Sequence, residues 1–549
     1  MVLNNKDLRV KCYDRDVRTN KNANIGRVSI DYIPPELISS IFCLSCNLDS
    51  PIAFQEPTAN ISIVNSYTAL ALSHVCSSWR DLALSTSKLW TKITVTERLS
   101  RINPEHVSKI CRFAQLYLIR SENNLLDFII EFPEIKACQP SSYDVDSLKL
   151  PEEAYELFES FYPIYKLFFQ QASRWRVAYM NLDIDILQNR HRSHWPNTFP
   201  VLEDLEIRAI GNEANYSDTQ PRLEISSAPL LRRLAHTGIA VSIGPDYSVA
   251  EKLDPIPTLE SLVFSGTLSE ENVSIACPNT SVTLFSVTSV SSRRQAQCLA
   301  RKLRIDVHPN QDNEQVLGYL FESFILPNIT HLHIAPLSNT INSSGIRFQS
   351  DVFLNLISDP SRFSATSLTH FTLASLFIKP AALLSILSNL PALTHFAFVS
   401  GDDSGVRSAF SVLTEAFFHS LAYRQQNQLL PDLKELHLAF GFGQGTSRGS
   451  EFTLNASKSE ALFDMIESRS IAGLNAGKAD HDMGGHHLQI VRLVLPSLSR
   501  HEIESNQGVV SWVRKLSVGT ALDCTFGWAE SRADWWRMGL GCWKDEEFR

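Results

Sequence analysis

Histidines carry the most chemical promise in this 549-residue chain. The triplet Leu-Thr-His occurs at Leu368-Thr369-His370 and at Leu393-Thr394-His395, and the similar Ile329-Thr330-His331 precedes both. His333 and His437 follow the same pattern two residues on, with Glu435 beside the latter. Imidazoles at matching positions of neighbouring strands would stand about 4.8 Å apart, which predicts a histidine ladder. A ladder could hold zinc or make a pH-sensitive contact with an acidic partner. No carboxylate or cysteine completes a tetrahedral set at a convincing spacing, so histidines that merely fill an exposed repeat position are the favoured reading. No metal or other cofactor is expected.

Other chemistry is weaker. Cys43-Leu44-Ser45-Cys46 has redox or zinc spacing, but no second pair follows it, and small buried hydrophobes account for it better. His481, His486 and His487 sit in the Gly-rich stretch beginning at Gly473, which reads as a loop with at most adventitious metal binding. Gly441-Phe442-Gly443-Gln444-Gly445 lacks the third glycine of GxGxxG and the lysine of a P-loop, so a surface turn is expected. There is no HExxH, and nothing assembles an acid, a base and an oxyanion donor. No catalytic residue is assigned, and the chain reads as a non-enzyme.

A recurring phrase, apolar-x-x-apolar-x-apolar, must position the histidines. It occurs at 202–207, 231–234, 259–264, 329–334, 368–373, 393–398 and 433–438, and more weakly at 490–495. Most copies follow an apolar-proline pair such as Ile256-Pro257, Leu390-Pro391 or Leu430-Pro431. This is the strand signature of leucine-rich repeats. Between the strands, Val352, Phe353, Leu356 and Ile357, then Ala382, Leu383, Ile386, Leu387 and Leu390, then Ala409, Phe410, Leu413, Phe417 and Leu421 keep helical spacing. No single unit buries its apolar side alone, so the units are expected to stack. The expectation is an irregular solenoid, α/β in class, with parallel strands on one face and helices on the other. Alternation turns Asp204, Glu206, Arg208, His331, His333, His370, His395, Glu435 and His437 outward, as a surface for reading a protein client.

Residues 33–90 precede this array. Asp31 is placed to cap a helix that Pro34 and Pro35 start, with Glu36 at its positive end. Leu37, Ile38, Ile41, Phe42 and Leu44 fall on it at helical spacing, and Leu72, Val75, Cys76, Trp79 and Leu82 repeat the pattern. Two such short stretches cannot cover their own apolar surface.

The order Ile33-Pro34-Pro35-Glu36-Leu37, then Ser73-His74-Val75-Cys76-Ser77-Ser78-Trp79-Arg80-Asp81-Leu82-Ala83, then Leu89-Trp90, resembles the F-box-like domains of mushroom-forming fungi. An insertion at about 47–66 separates its first two helices. The resemblance implies an F-box-like domain over 30–97 that grips a Skp-type adaptor through Pro34, Pro35, Leu37, Ile38, Ile41, Leu72, Val75, Cys76, Trp79, Leu82, Leu89 and Trp90. It further implies a leucine-rich-repeat-like substrate-recognition domain over 98–549, with a cap at about 500–549 rich in tryptophan. Such a protein is the client-holding subunit of an SCF-type cullin-RING ubiquitin ligase. The alternative is a repeat scaffold for protein-protein interaction that keeps the same helices only as an N-terminal cap.

Composition fits these readings. With 44% hydrophobic and 20% charged residues the chain is an ordinary globular protein, and its formal charge of -9 argues against a general nucleic-acid binder. Residues 1–29 mix charged and polar types as a disordered tail would, without the apolar core of a signal peptide. No run of about 20 apolar residues predicts a membrane span, and the 10 scattered cysteines suit the reducing cytosol or nucleus.

Overall fold

The computed structural model describes residues 33–46, 68–96, 104–131, 152–183, 195–210, 222–243, 256–268, 276–290, 295–307, 313–336, 346–400, 412–423, 429–440, 456–476, 488–496 and 522–529. The expected tail, the insertion at 47–66, most of the C-terminal cap, Asp31, the 441–445 glycines and His481, His486 and His487 lie outside these residues.

Three short helices open the structure: α1 (Pro35–Ser45), α2 (Thr68–Leu72) and α3 (Ser77–Ser85), followed by the 3-10 turn Ser87–Trp90. Pro35 begins α1 where its missing amide costs nothing, and Glu36 sits in the first turn. The second amphipathic stretch is not one helix. It breaks after Leu72, and Cys76 restarts the chain as the N-cap of α3, with its Sγ accepting from the Trp79 amide at 3.5 Å.

The rest is mixed α/β around one large, all-parallel sheet. Its strands, in spatial order, are β1 (Lys92–Thr96), β2 (Leu126–Glu131), β3 (Trp175–Asp183), β4 (Asp204–Ile210), β6 (Arg233–Thr237), β8 (Ser261–Leu268), β9 (Ser281–Val290), β11 (Lys302–Val307), β13 (His331–Pro336), β15 (His370–Phe377), β16 (His395–Ser400), β17 (Glu435–Ala439), β18 (Ile490–Pro496) and β19 (Asp523–Ala529). A short strand, β14 (Ile346–Arg347), also pairs with β15, giving 15 strands. Two small parallel pairs stand apart: β5 (Arg222–Ile225) with β7 (Ala240–Ile243), and β10 (Ala296–Gln297) with β12 (Phe324–Ile325).

The repeated phrase explains the register. Its first apolar residue is sealed inside at each copy, as with Leu202, Leu231, Leu259, Ile329, Leu368, Leu393 and Leu433, none more than 1% exposed. The apolar-proline pair before it forms a tight turn, in which the carbonyls of Ile256, Leu390 and Leu430 accept from the amides of Leu259, Leu393 and Leu433. Proline at the second position of such a turn presets φ there. The residue after the first apolar position then links the units. The Thr330 carbonyl accepts the amides of both Thr369 and His370, and the Thr369 carbonyl accepts those of Thr394 and His395, all at 2.9 Å.

Three further strands carry the phrase with an unusual first residue: Trp90 before β1, Trp175 at β3 and Ala300 before β11. At β18 the buried first residue is Leu488, so the frame read as 490–495 begins two residues too late. Strand β2 also carries the phrase, at Leu125, Phe128 and Ile130, although Leu126 rather than Leu125 is the buried residue that pairs with Trp175; β9 and β19 follow it too loosely to be found by it.

Helices α4 (Pro104–Arg120), α5 (Glu152–Phe169), α6 (Asn313–Ser323), α7 (Ser350–Ser358), α8 (Pro380–Ser388), α9 (Glu415–Leu421) and α10 (Ala456–Ala476) lie in the connections, making ten α-helices among the described residues. From α6 to α10 each helix packs on the next, and Phe353 of α7 stacks on Phe371 of β15 with 5.8 Å between ring centres. Leu413 is buried but precedes α9, which Thr414 caps by accepting from the Phe417 amide at 3.2 Å. Gly473, expected in a loop, lies within α10.

Candidate functional site

Two places among the described residues gather the side chains singled out by the sequence. The first is the opening helical module. Along α1, Leu37, Ile41 and Leu44 share one stripe and stand 56%, 49% and 67% exposed, and Val75 before α3 is 60% exposed. Pro34, Pro35 and Cys76 are exposed as well. Ile38 and Phe42 sit about 100° further round the helix and turn inward, where Phe42 meets Trp79 edge-on at 4.8 Å. Trp79, Ile38, Leu72 and Leu82 are therefore partly spent on holding α1 to α2 and α3.

Leu89 and Trp90 require a correction. Both are fully buried, at 1% and 0% exposure, and neither is available to an adaptor. The Trp90 indole donates to the Ala83 carbonyl at 2.8 Å, meets Tyr117 of α4 edge-on at 4.9 Å and lies under the Arg120 guanidinium. The reason is positional: Trp90 is the first apolar residue of the strand phrase that becomes β1, so it joins the helices to the sheet. Cys46, one half of the Cys43 pair, is buried, and burial pushes its thiol up to about 11, as an unreactive hydrophobe requires.

The second place is the histidine row. His331, His370 and His395 pair in register on β13, β15 and β16, with Lys302 before them on β11 and Glu435 after them on β17. Their rings stack face to face, 3.9 Å and 3.7 Å between centres, with planes 11° and 12° apart. Each Nδ1 lies against the hydroxyl of its own threonine, at 2.9 Å for Thr330, 2.8 Å for Thr369 and 2.7 Å for Thr394. His395 Nε2 approaches Glu435 Oε1 at 3.1 Å, and His437 Nε2 lies 3.6 Å from Oε2. Those two imidazoles hold the Glu435 carboxyl well below the usual range. Burial, then neighbouring positive charge, holds His331 down to about 4 and His370 to about 3, and burial first and Arg304 second keep His333 well below its ordinary value.

The ladder exists, but the surface around it is only partly open to solvent. None of the nine outward residues assigned to client reading is open: Glu206, His333 and His437 are buried, and Asp204, Arg208, His331, His370, His395 and Glu435 are half-buried. Charged side chains on and beside this row also pair with one another within the sheet. Arg208 bonds Glu206 at 2.6 Å and lies over the Tyr179 ring, Arg304 bonds Asp306 at 2.9 Å, and Arg176 grips Asp127 with two bonds. Nor are the ladder histidines unpaired fillers, because stacking and threonine contacts occupy them.

Thr394, His395 and Glu435 carry the residue types of a hydroxyl-imidazole-carboxylate relay. The same Thr-His contact recurs at 330–331 and 369–370 with no carboxylate next in register, so the repeat imposes it. No group of three or more His, Cys, Asp or Glu among the described residues is placed to hold a metal ion. Gly445-Thr446-Ser447-Arg448-Gly449 has the GxSxG spacing of a nucleophile elbow. It lies outside the described residues. A buried histidine escaped the sequence reading. His236 fills the third apolar position of its phrase, its Nδ1 is 2.7 Å from the Ile239 carbonyl, and burial lowers it to about 4.

No family model matches the chain, and no curated protein matches it significantly. No helix among the described residues is long and apolar enough to cross a membrane.

Proposed function

We propose that this chain is the substrate-recognition subunit of an SCF-type cullin-RING ubiquitin ligase. In this reading the opening helices are an F-box-like module bound to a Skp-type adaptor. The sheet and its helices are then an irregular leucine-rich-repeat solenoid that holds a protein client. The observation that carries the reading is the solvent-open stripe of Leu37, Ile41 and Leu44 along α1, with Val75 of the same module also exposed. Large apolar side chains gathered on so small a module mark a surface that a partner covers. Burying each would contribute about 1.5–3 kcal/mol. The chain itself supplies no reacting group: it raises the effective concentration of client lysines near the charged enzyme.

The test is binding of the purified chain to a Skp-type adaptor by calorimetry. Leu37→Ala and Ile41→Ala should each weaken the complex by about 2 kcal/mol, as interface anchors do, while leaving thermal unfolding unchanged. Absence of any complex with the unaltered chain would overturn the proposal. A second reading has its own support, since Trp79 packs on Phe42 and Leu89 and Trp90 point into the protein, as the cap of a repeat scaffold requires. It predicts no adaptor complex.

A further inference from the structure

Five of the chain's sixteen histidines crowd onto four consecutive strands of the sheet: His331 and His333 on β13, His370 on β15, His395 on β16 and His437 on β17. The groups facing them from the flanking strands are Lys302, Arg304 and Asp306 on β11, Glu435 on β17 and Arg492 on β18. Asp306 is engaged by Arg304 at 2.9 Å. Glu435 is therefore the carboxylate that meets the row, and it meets it at one end, through His395 and His437.

Rings stacked 3.7–3.9 Å apart fare differently when neutral and when charged. Neutral imidazoles at this spacing gain dispersion and stacking energy, whereas two adjacent imidazolium rings repel strongly in a half-buried setting. His331 and His370 cannot simply swing apart, because each ring is tied by Nδ1 to its threonine and each threonine stands beside the carbonyl that links the units.

We propose that this row is a pH-sensitive clasp, closed while His331 and His370 are uncharged beside the His395–Glu435 pair, and opened by acid so that β13, β15, β16 and β17 loosen along their outward face. The low values of His331 and His370, set first by burial and then by neighbouring positive charge, agree with this. The clasp follows from the geometry of the row and stands apart from the ligase reading.

Hydrogen exchange read by mass spectrometry, corrected for intrinsic rates, tests it on the full chain at about pH 7.5 and about pH 5. The expected result is a loss of protection of about tenfold or more in β13, β15, β16 and β17 at the lower pH, because one pH unit is a tenfold change in proton binding to each ring. Strands β3 and β4, which contain no histidine, should keep their protection. The double variant His331→Phe, His370→Phe keeps two stackable rings without titrating, and should retain protection at the lower pH. Equal protection of the four strands at both pH values, equal loss in β3 and β4, or a variant as acid-sensitive as the parent would each overturn the clasp. If the variant does not fold, ring-nitrogen NMR of the parent decides: His331 and His370 titrating independently near the ordinary histidine value would overturn it.

Discussion

A histidine stacked between two others on neighbouring strands has its titration governed by the register of the sheet. His370 is that residue, and its depressed value has a definite sign for stability. An unfolded histidine takes up a proton near pH 6.5, while His331 and His370 in the fold hold out to about 4 and about 3. Between those limits the unfolded chain binds more protons. Their contribution is therefore complete above about pH 6.5 and is lost as pH falls toward 4 and below. Glu435 is depressed as well, so its contribution is present above about pH 4.5 and lost as pH falls further. The urea midpoint should fall steadily from about pH 7 to about pH 4, and Glu435→Gln should flatten only the lowest part of that curve. Trp90 makes a separate prediction: Trp90→Ala should cost about 3–5 kcal/mol in urea unfolding, as removal of a fully enclosed aromatic does.

Among the elements, helices α6, α9 and α10 are fastened to their connections by arginine. Arg469 of α10 is buried and donates to the carbonyls of Leu421, Leu429 and Leu430, joining the end of α9 to the turn before β17. Arg362 likewise donates to the carbonyls of Phe321 and Glu322 in the last turn of α6 and of Phe324 just after it. Burial lowers Arg469 only to about 10, so it remains charged at neutral pH. Arg469→Met should leave three carbonyls unsatisfied and cost about 3 kcal/mol or more, with the loss of exchange protection concentrated in α9 and α10. The phrase apolar-x-x-apolar-x-apolar marks β4, β6, β8, β13, β15, β16 and β17 from the sequence alone. Strands β1 and β3 escaped it because tryptophan holds the first position, which a search for aliphatic residues passes over.

For the molecule as a whole, the helical module and the sheet are not separable pieces. Trp90 belongs to both, and β1 pairs with β2 along its whole length. Deleting residues 30–97 would remove that strand and uncover β2 as a hydrophobic edge, so the truncated chain should aggregate on size exclusion. Leu37→Asp should instead leave the unfolding midpoint within about 0.5 kcal/mol of the parent, because the residue is already solvent-exposed. This contrast separates loss of a partner surface from loss of the fold.

The order of residues established the strand phrase, the turns that precede it and the histidine positions on successive strands, since these depend on local periodicity and proline geometry. Which apolar residues of the opening module face outward did not follow from it. Leu37 and Phe42 both belong to an amphipathic pattern, and only packing against Trp79 turned one inward and left the other in water. Burial of Glu206, His333 and His437 was equally out of reach, because alternation tells which face a side chain takes but not how crowded that face is. Tertiary structure decided that crowding, and with it placed His331 and His370 in a half-buried stack where burial resists their protonation.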